Sequence, residues 1–172
     1  IYVGSLNHGR ALFVLISAIK LLGDKLVLVG DGDVSPKLKK FVSENHLQQQ
    51  VLFTGMLEPE KIQELLHDSY IGVNILEETG LNNYASLTNK FFDYIHCGIP
   101  VITNDYPEYR EFNEKFPVAI LLKEINPETG AFAISQLKTD RGLYEKMKNS
   151  CIRAREEFCW QKEEIKLREL MV

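Results

Sequence analysis

The sequence predicts an α/β protein: a single Rossmann-like, doubly wound domain with a mostly parallel sheet of about six strands. Short apolar segments rich in β-branched residues alternate with helical patterns along all 172 residues. No linker, repeat or low-complexity segment interrupts this alternation. A chain of this length is expected to form one domain with a solid core, which we assign to residues 1–172.

The strands are the short apolar runs. We predict them near residues 1–4, 25–30, 51–54, 71–76, 99–103 and 118–122. Their length and β-branched content suit strands that are buried on both faces. Residues 77–88 lack clear periodicity and follow the fourth strand. Because open α/β sheets place binding loops at the carboxyl ends of their strands, we expect this segment to be a binding loop.

The helices are predicted from apolar residues at helical spacing. They lie near residues 10–22, 36–46, 59–68, 89–97, 106–114, 129–137, 139–157 and 161–171. Pro59 suits the first turn of the third helix, and Gly98 is expected to end the fourth. The terminal helices, about 139–171, close the domain, with Trp160 as an expected core anchor.

Composition narrows the function classes. The formal net charge of −4 argues against a nucleic-acid binder, which would carry a basic stripe. The longest apolar runs, such as residues 11–19, are too short to span a bilayer. Three cysteines and four histidines lack metal-ligand spacing, so we expect reduced thiols, a cytoplasmic setting and no metal site. The chain starts with Ile1 rather than Met, so we expect the true N-terminus to lie further upstream.

The most informative segment is SLTNKFFDYIHCGIPVITND, residues 86–105. Thr88 and Asn89 offer side-chain oxygens that can cap a helix start, and the free amides of a first turn favour an anion such as a diphosphate. Asn89, Asp93 and His96 share one side of this helix. A carboxylate at Asp93 would be placed to accept hydrogen bonds from the hydroxyl groups of a sugar.

These residues also resemble a known family. LTNKFFDYIHCGIPVI follows the pattern "S-L-P-N-K-x-F-E-Y-M-x-x-G-x-P-V-I" of retaining group 1 (family 4) glycosyltransferases, with Asp93 in place of Glu. Further similar segments occur in the family order: YVGSL (2–6), RAL (10–12), LVLVGDG (26–32), VLFTG (51–55) and FCW (158–160). The resemblance therefore covers nearly the whole chain.

The resemblance implies one half of a GT-B fold, namely the C-terminal, donor-binding domain without its N-terminal acceptor domain. Such an enzyme transfers a hexosyl group from a UDP-, GDP- or ADP-linked sugar, with retention, to a glycan or lipid-linked acceptor. It uses no cofactor and generally no metal, because helix amides and basic residues neutralise the diphosphate. A polysaccharide pathway, peripheral membrane association of the full-length protein and little activity of this isolated domain are further expectations.

The resemblance also suggests site residues. Residues similar to diphosphate ligands are Arg10, Thr88, Asn89 and Lys90, and Asp93 matches the ribose-binding acid. Possible donor-site loop residues are Gly4, Ser5, Gly30, Gly55, Glu77, Glu78, Ser86 and Leu87. No catalytic residue is assigned.

Several positions keep other interpretations open. Ala85 and Ser5 replace an acid and a base common in the family, which favours a non-catalytic interaction domain as one alternative. A nucleotide-sugar 2-epimerase on the same scaffold is another. Considered without the family, Lys90 is a solvated helix residue, and Gly30-Asp31-Gly32 is a tight turn rather than a dinucleotide motif.

Overall fold

The computed structural model describes residues 1–77 and 84–170. The strands are β1 (Tyr2–Val3), β2 (Leu26–Val29), β3 (Val51–Gly55), β4 (Gly72–Asn74), β5 (Val101–Asn104) and β6 (Ala119–Leu122). The helices are α1 (Leu12–Leu22), α2 (Ser35–Glu44), α3 (Pro59–His67), α4 (Asn89–His96), α5 (Pro107–Lys115), α6 (Pro127–Thr139), α7 (Arg141–Glu157) and α8 (Trp160–Leu170). The predicted α/β fold is confirmed.

The strands form two parallel groups that meet at β1 and β4. Hydrogen bonding gives the orders β1-β2-β3 and β4-β5-β6. The Ile1 nitrogen donates to the Ile71 carbonyl at 2.8 Å, and the Val73 N–H donates to the Ile1 carbonyl at 3.0 Å. These bonds give the order β3-β2-β1-β4-β5-β6. From β1 the chain adds successive strands towards one edge of the sheet, and from β4 it adds them towards the other edge. The boundary between β1 and β4 is therefore the topological switch point, where open α/β sheets bind ligands.

Two hydrophobic clusters cover the two faces of the sheet. One contains side chains of α1, α2 and α6, and the other contains side chains of α3, α4 and α5. Val101 and Ile102 are consecutive in β5 and belong to different clusters, because successive strand residues point to opposite faces. The sheet is therefore covered by helices on both sides, as predicted for a doubly wound domain.

Tyr94 of α4 connects the helix to both strands at the switch point. Its hydroxyl accepts a hydrogen bond from the Val3 N–H at 3.0 Å and donates to the Val73 carbonyl at 3.2 Å. The ring packs directly on β4, since a Cβ at Gly72 would lie 2.4 Å from the Tyr94 Cγ. Only a residue without a side chain at position 72 leaves space for this ring.

The predicted core role of Trp160 is wrong. Its side chain is 65% exposed, and no residue of α8 is buried. Phe158 fills the gap at the end of α7 instead, with its ring centroid 4.9 Å from that of Phe112. The pattern of aromatic residues in FCW does not show which of the two rings faces inward.

Local capping explains one shifted boundary. Helix α6 begins at Pro127, two residues before its predicted start. The Asn126 side chain accepts from the Thr129 N–H at 2.8 Å, and the Thr129 hydroxyl accepts from the Asn126 N–H at 3.3 Å. This reciprocal capping box holds the first turn and is visible in the sequence as Asn-Pro-x-Thr.

Two further features agree with the sequence. Gly98 follows α4 with a φ of 71°, and its N–H donates to the Ile95 carbonyl, as expected for a helix stop. The three cysteines are free thiols. Within the described part of the chain, no helix combines the length and apolar character needed to cross a membrane.

Replacing Gly72 with Ala tests the contact between α4 and β4. We expect a loss of about 1–3 kcal/mol in the free energy of unfolding, because the new methyl group overlaps a buried ring that cannot move aside. Urea denaturation followed by circular dichroism measures it. Gly142→Ala is the control, since a Cβ there meets only the Asp140 carboxylate at 3.4 Å. Equal stability of both variants would contradict this packing.

Candidate functional site

A cavity of about 270 Å³ lies between the loop after β1 and the first turn of α4. Its lining is Val3, Gly4, Ser5, Arg10, Thr88, Asn89, Lys90 and Asp93. The fold thus brings together all five residues predicted to contact the diphosphate and ribose. A larger cavity, about 680 Å³, lies at the amino ends of β2 and β4. Unlike the smaller cavity, it is not lined by two cations that both lack a carboxylate partner among the described residues.

Helix α4 starts at this cavity without a side-chain cap. The sequence predicted a capping role for Thr88, and this prediction is wrong. The Thr88 hydroxyl donates instead to the Asn74 Oδ1 at 3.1 Å, and the Thr88 N–H donates to the Tyr109 hydroxyl at 3.3 Å. Because no side chain caps the helix, the N–H groups of Asn89 and Lys90 remain available to an anion, whereas the Phe91 N–H donates to the Thr88 carbonyl at 3.1 Å.

A buried polar network holds Thr88 in place. The Asn74 amide donates to the Tyr109 hydroxyl at 2.8 Å and to the Thr103 Oγ1 at 3.3 Å. The Thr103 hydroxyl donates to the Asn74 carbonyl at 2.9 Å. This network connects the ends of β4 and β5 to the start of α4. It was not predicted from the sequence, although the polar residues at the ends of these apolar strands are a visible signal.

Two cations line the cavity beside each other. Lys90 Nζ lies 3.9 Å from the centroid of the Tyr2 ring, and neither Lys90 nor Arg10 forms an ion pair with the carboxylates of the described residues. Burial, with a smaller contribution from the Arg10 charge, lowers the pKa of Lys90 to about 7. Lys90 is therefore not a solvated helix residue.

Gly4 leaves space for the Lys90 side chain. It has a φ of 135°, and a Cβ there would lie 3.2 Å from Lys90 Nζ. The neighbouring Ser5 is exposed at the cavity, and its carbonyl accepts a hydrogen bond from the Tyr2 hydroxyl at 2.9 Å. The loop after β1 thus supports the Tyr2 ring on which Lys90 rests.

Asp93 lies one turn further along α4, at the edge of the cavity. Desolvation by the surrounding protein raises the pKa of its carboxyl above the usual range, and the nearby His96 opposes this shift. The His96 ring contacts the end of α7, with its Nε2 2.8 Å from the Phe158 carbonyl. Asp93 lines the same cavity as Arg10 and Lys90.

Of the other predicted loop residues, those that the structure describes do not line this cavity. Gly30 follows β2 and Gly55 is the last residue of β3, and a 2.9 Å hydrogen bond joins the Gly30 N–H to the Gly55 carbonyl. A Cβ at Gly30 would lie 2.2 Å from the Gly4 carbonyl oxygen, so the glycine allows two loops to approach. This supports the tight-turn interpretation of the Gly-x-Gly motif.

The predicted residues of the loop after β4 are dispersed. Glu77 lines a second cavity beyond β5, and Leu87 lines a third beside α5. Ser86 is exposed. Glu78 lies outside the described residues.

The family is settled by a sequence profile. The profile of the family "Glycosyl transferases group 1" matches residues 1–140, which include every residue of the cavity. The chain belongs to the group 1 glycosyl transferases. Comparison with curated protein sequences finds no match.

Solved structures of glycosyltransferases share the fold of this group 1 chain. HepE of Anabaena, solved with UDP and glucose, superposes with a TM-score of 0.83 at 17% identity, over 99% of this chain and 46% of HepE. Sucrose-phosphate synthase of Thermosynechococcus elongatus gives 0.82 at 19% identity, over 99% of this chain and 43% of the synthase. The C-terminal domain of LpcC from Francisella tularensis gives 0.71 at 15% identity, over 91% and 83%. This group 1 chain spans less than half of the first two.

The lowered pKa of Lys90 predicts pH-dependent anion binding by this glycosyl transferase chain. An anion stabilises the charged amine, so binding takes up a proton above the free pKa of about 7. Tyr2, Arg10 and Asp93 are the other titratable groups that face the Lys90 amine. From about pH 6 to about pH 9, we expect the affinity for pyrophosphate to fall more steeply in the natural chain than in Lys90→Met.

Calorimetry with pyrophosphate measures this difference, and the titration of the pyrophosphate itself is common to all samples. Lys148→Met, on the exposed side of α7, is the control and is expected to keep the steep pH dependence. If Lys90→Met shows the same slope as the natural chain, Lys90 does not titrate in this range.

Proposed function

We propose that this chain is the donor-binding domain of a retaining glycosyltransferase and that the cavity between β1 and α4 binds the diphosphate of a nucleotide sugar. The observation that carries the proposal is the pair Arg10 and Lys90, which lies without a carboxylate partner among the described residues at an uncapped helix start. Two unpaired cations and free helix amides are a strong combination for a diphosphate.

The diphosphate role follows from charge. Arg10 and Lys90 would neutralise the phosphate oxygens, and the backbone N–H groups at the start of α4 would donate to them. When the glycosidic bond to the nucleotide breaks, negative charge develops on the leaving phosphate, and groups already oriented towards it stabilise the transition state. The proposal requires no metal ion or other cofactor for this step.

The ribose role is proposed for Asp93. Its carboxylate lies in the same cavity as the phosphate-binding groups, one helical turn from the start of α4. A carboxylate there accepts hydrogen bonds from two adjacent hydroxyl groups, as the ribose of a nucleotide offers. The base would then extend towards Gly30 and Gly55, two residues without side chains that are joined by a backbone hydrogen bond.

Several finer parts of the proposal depend on the whole enzyme. HepE was solved with UDP and also with UDP-glucose, which makes UDP the first nucleotide to test here, followed by GDP and ADP. We propose that an acceptor domain lies upstream, that a glycan or lipid-linked sugar receives the hexosyl group, and that the isolated domain transfers little sugar. A cytoplasmic location belongs to the same proposal.

Asp93→Ala is expected to weaken UDP binding by about 1–3 kcal/mol, since a charge-assisted hydrogen bond to the ribose is lost. The affinity for pyrophosphate should not decrease, because pyrophosphate has no ribose. Titration calorimetry of both ligands against the natural chain and the variant separates these effects. Glu145→Ala, an exposed carboxylate on α7, is the matched control for charge.

Two results would overturn parts of this proposal. Equal losses for UDP and pyrophosphate in Asp93→Ala would remove the ribose assignment. Failure of UDP, GDP and ADP to bind both this chain and the full-length protein would favour a non-catalytic interaction domain. Ala85, which is exposed where the family commonly has an acid, is the residue that favours this alternative.

A further inference from the structure

Lys90 differs from every other lysine of the described residues, because it is half-buried and the others are exposed. Its Nζ lies 3.9 Å from the centroid of the Tyr2 ring, and a Cβ at Gly4 would lie 3.2 Å from the same atom. Lys90 has no carboxylate partner among the described residues, so no ion pair stabilises its charged amine. These surroundings favour the neutral form of the amine over the cation.

A large share of the Lys90 amine is therefore unprotonated at neutral pH. Burial lowers the pKa of Lys90 to about 7, and the Arg10 charge acts in the same direction. About half of the molecules then carry the neutral amine at pH 7, compared with roughly one in 2,500 for a lysine of ordinary pKa. Only the neutral amine has the free electron pair that attacks an electrophilic carbon. Tyr2 does not compete for this role, since burial raises the pKa of its hydroxyl to about 12.

The cavity also stabilises negative charge beside this amine. Arg10 lines the cavity and has no carboxylate partner among the described residues. The backbone N–H groups of Asn89 and Lys90, at the uncapped start of α4, also have no partner in that part of the chain. A guanidinium group and open N–H groups suit the two oxygens of a carboxylate-like anion. A neutral electrophile that becomes such an anion on reaction gains these contacts.

Carbon dioxide combines both properties. It is small enough for a cavity of about 270 Å³, and as a neutral molecule it does not raise the pKa of the amine before it reacts. We propose that the Lys90 Nζ reacts reversibly with carbon dioxide to form a carbamate, which Arg10 and the open N–H groups at the start of α4 bind. The electron pair of the neutral amine forms the N–C bond, and one C=O π pair moves onto oxygen. The nitrogen releases one proton to water, so no further reagent is required.

The carbamate reverses the charge at position 90. Of the two cations that line the cavity, Lys90 becomes an anion and Arg10 becomes its partner. A diphosphate then meets a negative group where it would otherwise meet two unpaired cations. Carbon dioxide thus acts as an inhibitor of anion binding. Inhibition of donor binding in this way rests on the proposed function, whereas the modification itself depends only on the cavity.

Labelling with ¹³C-bicarbonate at about pH 8, where most of the Lys90 amine is neutral, tests the modification. Carbon-13 NMR detects the carbamate carbon, and trapping with triethyloxonium ion followed by peptide mass spectrometry shows which amine carries it. We expect at least about tenfold more trapped carbamate on Lys90 than on Lys148, an exposed lysine of α7. The α-amine of the chain gives a separate peptide. Absence of carbamate on Lys90, or equal amounts on both lysines, would overturn the proposal.

Arg10→Met tests the contact that holds the carbamate. We expect the occupancy at Lys90 to fall by about tenfold, because the carbamate loses its guanidinium partner and the amine loses the charge that keeps it neutral. Arg141→Met, an exposed arginine at the start of α7, is the control and should keep the occupancy of the natural chain. Unchanged labelling in Arg10→Met, with folding checked by circular dichroism, would show that Arg10 does not hold the carbamate.

UDP titration at increasing bicarbonate and constant ionic strength separates the modification from the proposed function. We expect UDP affinity to fall with bicarbonate more steeply in the natural chain than in Lys90→Met. Equal dependence in both would overturn the inhibition. Carbamate on Lys90 without binding of UDP, GDP or ADP supports the modification and counts against the proposed donor site. UDP binding without carbamate on Lys90 overturns the modification alone.

Discussion

The Tyr94 hydroxyl is the contact on which the arrangement of the site depends. It bridges the Val3 N–H of β1 and the Val73 carbonyl of β4, the two strands at which the halves of the sheet meet. Because Tyr94 belongs to α4, this bridge also fixes the start of the helix beside the loop after β1. Lys90 and Asp93 then reach the cavity without long or flexible connections. Gly72 is part of the same constraint, since any side chain there would displace the ring.

The site combines a rigid support with an unsatisfied charge. Thr88 is held by Asn74 and Tyr109, so its hydroxyl does not cap the helix, and the N–H groups of Asn89 and Lys90 have no partner among the described residues. Lys90 is desolvated against Tyr2 and close to Arg10, which makes its charged form costly in the empty cavity. A bound anion would offset both costs by its favourable interaction with the charged amine. This is the usual physical relation between a preorganised binding site and local destabilisation of the free protein.

The two cavities at the carboxyl edge of the sheet have opposite electrostatic character. Arg10 and Lys90 dominate the one beside α4, whereas Glu77, Asp105 and Glu124 dominate the one beyond β5.

The sequence by itself determined the order of strands and helices along the chain and the start of α4 near residue 89, and the resemblance of its short motifs to a known family predicted the group of residues around the first cavity. These features depend on local periodicity and on short motifs, which are complete within a few residues of chain. Tertiary structure decided the rest. Lys90 lies on Tyr2, Thr88 bonds to Asn74, and Tyr84 packs on Tyr106 because the strand order brings distant segments together. Trp160 is exposed for the same reason, since the space at the end of α7 is already filled by Phe158.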